Sequence, residues 1–156
     1  MAFVAKIEAR AYSRATEVSD KVVNAILNLY PEHVHELVKF VSTKVEGHSG
    51  NQIQIIGSEL SDQTGCETTL DYIFGKLEKR DRERLENSLD RRIDENCQFF
   101  VRIDKQAAFL ERIVLAKGPD VISVQVHIRK HPRCKQEDVM TMLEDRLRAA
   151  GGDDQW

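Results

Sequence analysis

Three sets of residues have the types and spacing for chemistry. In the stretch Glu46-Gly47-His48-Ser49-Gly50-Asn51 an imidazole sits between glycines. Glycine lets backbone amides approach a phosphate, and imidazole, hydroxyl and carboxamide groups can hydrogen-bond sugar or base. Gly47, Gly50 and Asn51 are equally what a tight strand connection selects for its geometry. Imidazole titrates near neutrality, so His48 beside Glu46 or Asp104 would also suit acid–base cleavage of a phosphodiester, with carboxylates holding a metal. The second set is Arg102, Lys105 and Gln106 with Gln125, His127 and Arg129. Projecting from neighbouring strands, these would form a cationic patch for phosphates and exposed bases, although an ordinary solvated sheet face has the same composition.

The third set holds the metal-type and thiol residues. His33-x-His35 on a strand would put both rings on one face, able to hold a transition metal if cysteine or carboxylate ligands joined from elsewhere, but solvated histidines are the plainer reading and no metal site is assigned. Cys66, Cys97 and Cys134 are odd in number, widely spaced and without a CxxC pair. That argues against a disulfide framework, suits a reducing compartment, and leaves the cysteines as small buried apolar residues. The phosphate-loop, dinucleotide, zincin and serine-hydrolase motifs are all missing, so neither enzyme nor cofactor is expected.

Charge is segregated along the chain. The 156 residues carry 23 Lys and Arg against 26 Asp and Glu, a net charge of -3, which excludes a globally basic nucleic-acid binder. From Arg102 to Lys135, however, eight basic residues face three acidic ones. The arginines between Arg80 and Arg92 alternate with acids at helical salt-bridge spacing and read as a solvated helix face. No apolar run approaches the ~18 residues of a membrane span, and a cytoplasmic protein is expected.

Positioning these residues requires an alternation of strands and amphipathic helices. Phe3, Ala5, Ile7, Ala9 and Ala11 alternate with Val4, Lys6, Glu8, Arg10 and Tyr12, as in a strand with one solvated face. Thr16 can cap a helix carrying Val18, Val22, Ile26 and Leu29, which Tyr30-Pro31 ends. A hairpin follows, with Val34 to Val45 and Gln52 to Ile56 as strands. Helices occupy most of 67–95, and strands return around Phe99–Ile103 and Ile122–Ile128, with a helical turn at Lys105–Leu110. A last helix carries Val139, Met140, Leu143 and Leu147. The expectation is one α+β domain over residues 1–150, a mostly antiparallel sheet with helices packed on one face, and a polar tail over 151–156.

Taken together, the Leu29-Tyr30-Pro31 helix end, the Glu46–Asn51 loop, Arg102-Ile103-Asp104-Lys105-Gln106-Ala107-Ala108 and Asp120-Val121-Ile122-Ser123-Val124 resemble an archaeal family of RNA-binding proteins described as predicted exosome subunits. The resemblance runs from about residue 3 to about residue 147. It implies a fold like that of the large-subunit ribosomal protein that binds 5S rRNA, and RNA binding within archaeal RNA processing. RNA and exosome or other RNA-processing proteins would be the partners. No catalytic set comes with it; only Gly47, His48, Gly50, Asn51, Arg102, Asp104, Lys105 and Gln106 match its most specific stretches. The reading is therefore a non-catalytic RNA-binding module using Gly47, His48, Gly50, Asn51, Arg102, Lys105, Gln106 and Arg129. The alternatives are an assembly subunit or homodimer that pairs through outward Val4, Tyr12 and Phe100, and the His48-dependent phosphodiesterase.

Overall fold

The computed structural model describes residues 1–14, 19–46 and 52–151. Gly47, His48, Gly50 and Asn51, with Thr16 and the tail after Gly151, lie outside the described residues.

The chain runs β1 (Phe3–Ser13), α1 (Ser19–Leu27), a 3-10 turn (Glu32–Leu37), β2 (Lys39–Glu46), β3 (Gln52–Leu60), α2 (Gln63–Lys76), α3 (Lys79–Asn87), α4 (Leu89–Arg92), β4 (Gln98–Asp104), α5 (Lys105–Phe109), β5 (Val121–Arg129) and α6 (Gln136–Ala150). The five strands form one antiparallel sheet in the order β2-β3-β1-β5-β4. The fold is α+β, as the alternation of periods predicts.

Because strand side chains alternate between faces, β1, β3, β4 and β5 bury residues of one face in the core, whereas β2 offers, among its described side chains, only half-buried Phe40. Ile7, Ala9 and Ala11 of β1, Ile56 and Leu60 of β3, Phe99, Val101 and Ile103 of β4, and Ile122, Val124, Val126 and Ile128 of β5 are buried on one face. Helices α1 and α2 pack on β1 over that face, and α6 packs on α2 and α3. Phe74 of α2 meets Phe99 edge to face, with ring centroids 6.3 Å apart, the arrangement that the ring quadrupole favours. The opposite face carries no helix among the described residues.

Several expectations are corrected here. Val4 is fully buried, because the pairing of β1 with β5 shifts register between Val4 and Lys6. A bulge of this kind moves every preceding side chain to the other face, so Phe3 instead of Val4 shares the open face, and Val4 cannot serve an exposed interface. His33 and His35 belong to the 3-10 turn, where Pro31 sets the start. His35 Nε2 contacts the Tyr30 carbonyl at 2.8 Å and His33 Nε2 lies 3.4 Å from Thr68 Oγ1, so the rings do not converge. The charged helix is not purely solvated either. Asp81 is buried and accepts from the Leu115 amide at 3.0 Å, and Arg82 is buried with Nη1 donating to the Leu77 carbonyl.

The cysteine reading also changes. Cys66 is buried as expected, but Cys97 and Cys134 form a disulfide with Cα atoms 6.4 Å apart. It ties the start of β4 to the segment before α6. A spacing of 37 residues gives no local signature, and only the neighbouring ends of β4 and β5 bring the two thiols together.

Candidate nucleic-acid interface

The register of the sheet assembles the open face from residues far apart in the chain. One row across it reads Val41, Gly57, Arg10, Ser123, Arg102, and the next reads Lys39, Glu59, Glu8, Gln125, Phe100. With strands ~4.8 Å apart, the two rows span about 19 Å. They line a concavity of about 560 Å³. Gly57 and Ser123 keep its floor low, while Val41 at one rim and Phe100 at the other are 69% and 40% exposed. A Cβ at Gly57 would meet only the Val41 carbonyl, at 3.9 Å, so this glycine leaves open space above the sheet. Tyr12, 52% exposed, extends the face beyond the Arg10 row.

Electrostatics on this face are uneven. Lys6 Nζ lies 3.0 Å from Glu8 Oε1 and 3.6 Å from Glu59 Oε1, and His127 Nε2 lies 3.3 Å from Glu8 Oε2. Burial pushes the Glu8 carboxyl up, but hydrogen bonds from Lys6 and His127 outweigh it and hold the group below its ordinary value. Both carboxylates are thus compensated within the face. Arg10, Lys39, Arg102 and Arg129 form no ion pair among the described residues, so their charge is available to an anion. Flat aromatic rings, available guanidinium groups and a small-residue floor can take a base against Phe100 or Tyr12 and phosphates against the arginines.

The sequence-predicted residues divide sharply. Arg102 and Arg129 are exposed on the open face, and Gln125 and His127 share it, half-buried. Lys105 does not belong to the surface: it is 3% exposed, its Nζ lies 2.8 Å from Asp120 Oδ1, and it donates to the Tyr12 carbonyl at 3.0 Å. Gln106 is exposed but donates through Nε2 to Asp120 Oδ2 at 2.9 Å, and Asp104 caps α5 by accepting from the Ala107 amide at 2.8 Å. Burial raises the Asp120 carboxyl, yet hydrogen bonds from Lys105 and Gln106, with the Lys105 and Arg14 charges, bring it below its ordinary value. The Arg102–Ala108 stretch is therefore mainly a structural knot joining β4, α5, β5 and the end of β1. Sequence reasoning missed Arg10, Lys39 and Gly57. The signal for Arg10 was present, since it alternates onto the solvated side of β1, but only the β3-β1-β5-β4 order puts it near Arg102.

Among the described residues no group of His, Cys, Asp and Glu is placed to hold a metal ion, and no helix is long and apolar enough to cross a membrane.

Comparison with known proteins places this geometry in a family. The chain is 32% identical over 139 residues to "RNA-binding protein PAB1135" of Pyrococcus abyssi, covering 88% of this chain and 90% of the relative. It is 29% identical over 145 residues to the uncharacterized protein MJ0213 of Methanocaldococcus jannaschii, covering 90% and 96%. The crystal structure of protein AF2318 from Archaeglobus fulgidus superposes with a TM-score of 0.77 at 27% identity, covering 92% of this chain and 99% of that one. A family model described as RNA binding matches residues 6–128, a span from β1 to the end of β5 that includes both rows of the open face, and the chain belongs to that RNA-binding family.

Proposed function

We propose that this chain is a non-catalytic RNA-binding protein, an accessory factor in archaeal RNA processing, that holds unpaired RNA on the open face of its sheet. The observation that carries the reading is the row in which Arg10 and Arg102 flank Ser123, next to exposed Phe100 and above the Gly57 floor. A duplex presents mostly phosphates and 2′-hydroxyls and would leave Phe100, Tyr12 and Val41 without a partner, whereas unstacked bases use them. The name of the Pyrococcus abyssi relative supports RNA as the ligand. Association with the exosome or another processing assembly follows from the family resemblance and would supply effective concentration to a site of few cations.

The test is fluorescence anisotropy with an unstructured single-stranded RNA and a matched duplex, at low and physiological salt. Phe100→Ala removes one stacking platform, for which ~1–3 kcal/mol, or roughly 5- to 150-fold in affinity, is expected. Arg10→Ala with Arg102→Ala lowers the salt slope by about 1.4, at ~0.7 per phosphate contact on a single strand. Wild-type affinity in both variants, or preference for the duplex, refutes this placement.

A further inference from the structure

Beyond the concavity, the open face continues towards the far end of β5. There Phe3 of β1 pairs with Arg129 of β5, so both side chains lie on the open side of the sheet, past the bulge. A second cavity of about 400 Å³ opens at this end, lined by Phe3, Cys97, Arg129, Lys130, Arg133 and their neighbours. Glu95 is the one carboxylate among its lining residues. Arg129, His131 and Arg133 are exposed and form no ion pair among the described residues. The turn that carries them is held at two points, by the Cys97–Cys134 disulfide and by Lys130 Nζ, 2.9 Å from Asp138 Oδ1. A basic turn fixed in this way loses little conformational freedom on meeting a ligand.

Resting on the RNA reading above, we propose that this cavity and turn form a second subsite, with Phe3 offering a stacking surface and Arg129 and Arg133 taking phosphates of the same unpaired RNA strand. The two subsites are connected by β5. Six residues separate Ser123 in the concavity from Arg129, about 20 Å at ~3.3 Å per residue. At the ~3.4 Å spacing of a stacked strand that is about six nucleotides, and a strand with unstacked bases covers it in fewer. Gln125, Gln98, Lys6 and His127 line the way between, with Gln98 and Lys6 each opposite His127. A strand of four nucleotides fills the concavity alone. One of ten reaches the turn.

The experiment compares four- and ten-nucleotide oligouridines by anisotropy across a salt series, with wild type, Arg129→Ala/Arg133→Ala and Arg10→Ala/Arg102→Ala. Both turn residues are exposed, so their loss leaves the fold intact, which circular dichroism checks. The expected result is tighter binding of the ten-mer than of the four-mer by wild type. The turn variant should lose that gain, with a salt slope lower by about 1.4 for the ten-mer and the four-mer affinity within twofold. The concavity variant should weaken both lengths. A ten-mer advantage as large in Arg129→Ala/Arg133→Ala as in wild type, instead of one reduced to the statistical gain from overlapping four-nucleotide registers, overturns the second subsite and leaves the open-face reading standing. Absence of binding to either length overturns both.

Discussion

Lys105 offers the sharpest separation between a side chain that touches ligand and one that holds the fold. Its Nζ is bonded to Asp120 and to the Tyr12 carbonyl, and the side chain is 4% exposed. Lys105→Met keeps the stem volume and removes both bonds. Hydrogen bonds to charged groups contribute ~1.5–3 kcal/mol each, and a charge stranded by loss of its buried partner costs ~3–5 kcal/mol. Asp120 is 41% exposed, so water takes over its carboxylate and the upper figures do not apply; a loss of about 2–3 kcal/mol remains. For a chain of this size that lowers Tm by roughly 5–10 °C, at ~2–4 °C per kcal/mol. The pH dependence has a definite sign. The folded Asp120 carboxyl lies below its ordinary value of 3.8, so its contribution is complete above that value and is lost as pH falls through the folded one. Urea melts should therefore show wild type well above Lys105→Met at pH 7 and the gap closing below about pH 4. RNA affinity of the variant, measured well below its Tm, should stay within twofold of wild type. An unchanged Tm with tenfold weaker RNA binding would show that the ammonium reaches RNA and would refute the structural assignment.

The other expectations concern the floor, the cysteines and a cap. Gly57→Val puts a β-branched side chain on a strand with open space above it, so Tm should hold or rise while the filled concavity weakens RNA binding by tenfold or more; tight binding by this variant counts against the concavity. Thiol titration in denaturant should find one reactive cysteine before reduction and three after, and Cys134→Ser should cost up to about 4 kcal/mol for a closed loop of this length; three thiols at the outset would exclude the bridge. Asp104→Ala removes the α5 cap and should lower stability by ~1 kcal/mol in chemical denaturation without changing RNA affinity or its salt slope; tighter binding with a steeper slope, as repulsion of phosphate is relieved, would place Asp104 in the site.

What the sequence revealed follows from how local each signal is. Strand alternation in β4 and β5 and the helical spacing of α2 and α6 are properties of a few neighbouring residues, and the folded elements match them. The bulge in β1 is not local, because Val4 turns inward only through its pairing with Ile128. A basic residue beside Gln106 reads as surface by type, yet Lys105 is drawn inward by Asp120 and by the end of β1, partners fifteen and ninety-three positions away. The open face was legible one strand at a time: Arg102 and Arg129 by alternation, Arg10 and Tyr12 likewise. Their assembly into one surface depends on strand order, which residue spacing does not encode.

Strand order also resolves the apparent conflict between an acidic chain and an RNA ligand. The two carboxylates within the concavity, Glu8 and Glu59, are engaged by Lys6, while on the helical side Glu67 and Glu86 are taken up by Arg146 and Arg148. On the proposed reading, Arg10, Lys39 and Arg102 are left to meet phosphate in the concavity. Three contacts at ~0.7 each give the concavity a salt slope of about 2, small for a binder that depends on charge alone. The proposed site therefore draws on stacking at Phe100 and Tyr12, a contribution that salt barely screens because it carries no net charge. On that same reading, the concavity selects unpaired bases and uses its few cations to orient them. Raising salt should weaken such binding without abolishing it, whereas removing Phe100 and Tyr12 together should abolish it at any salt.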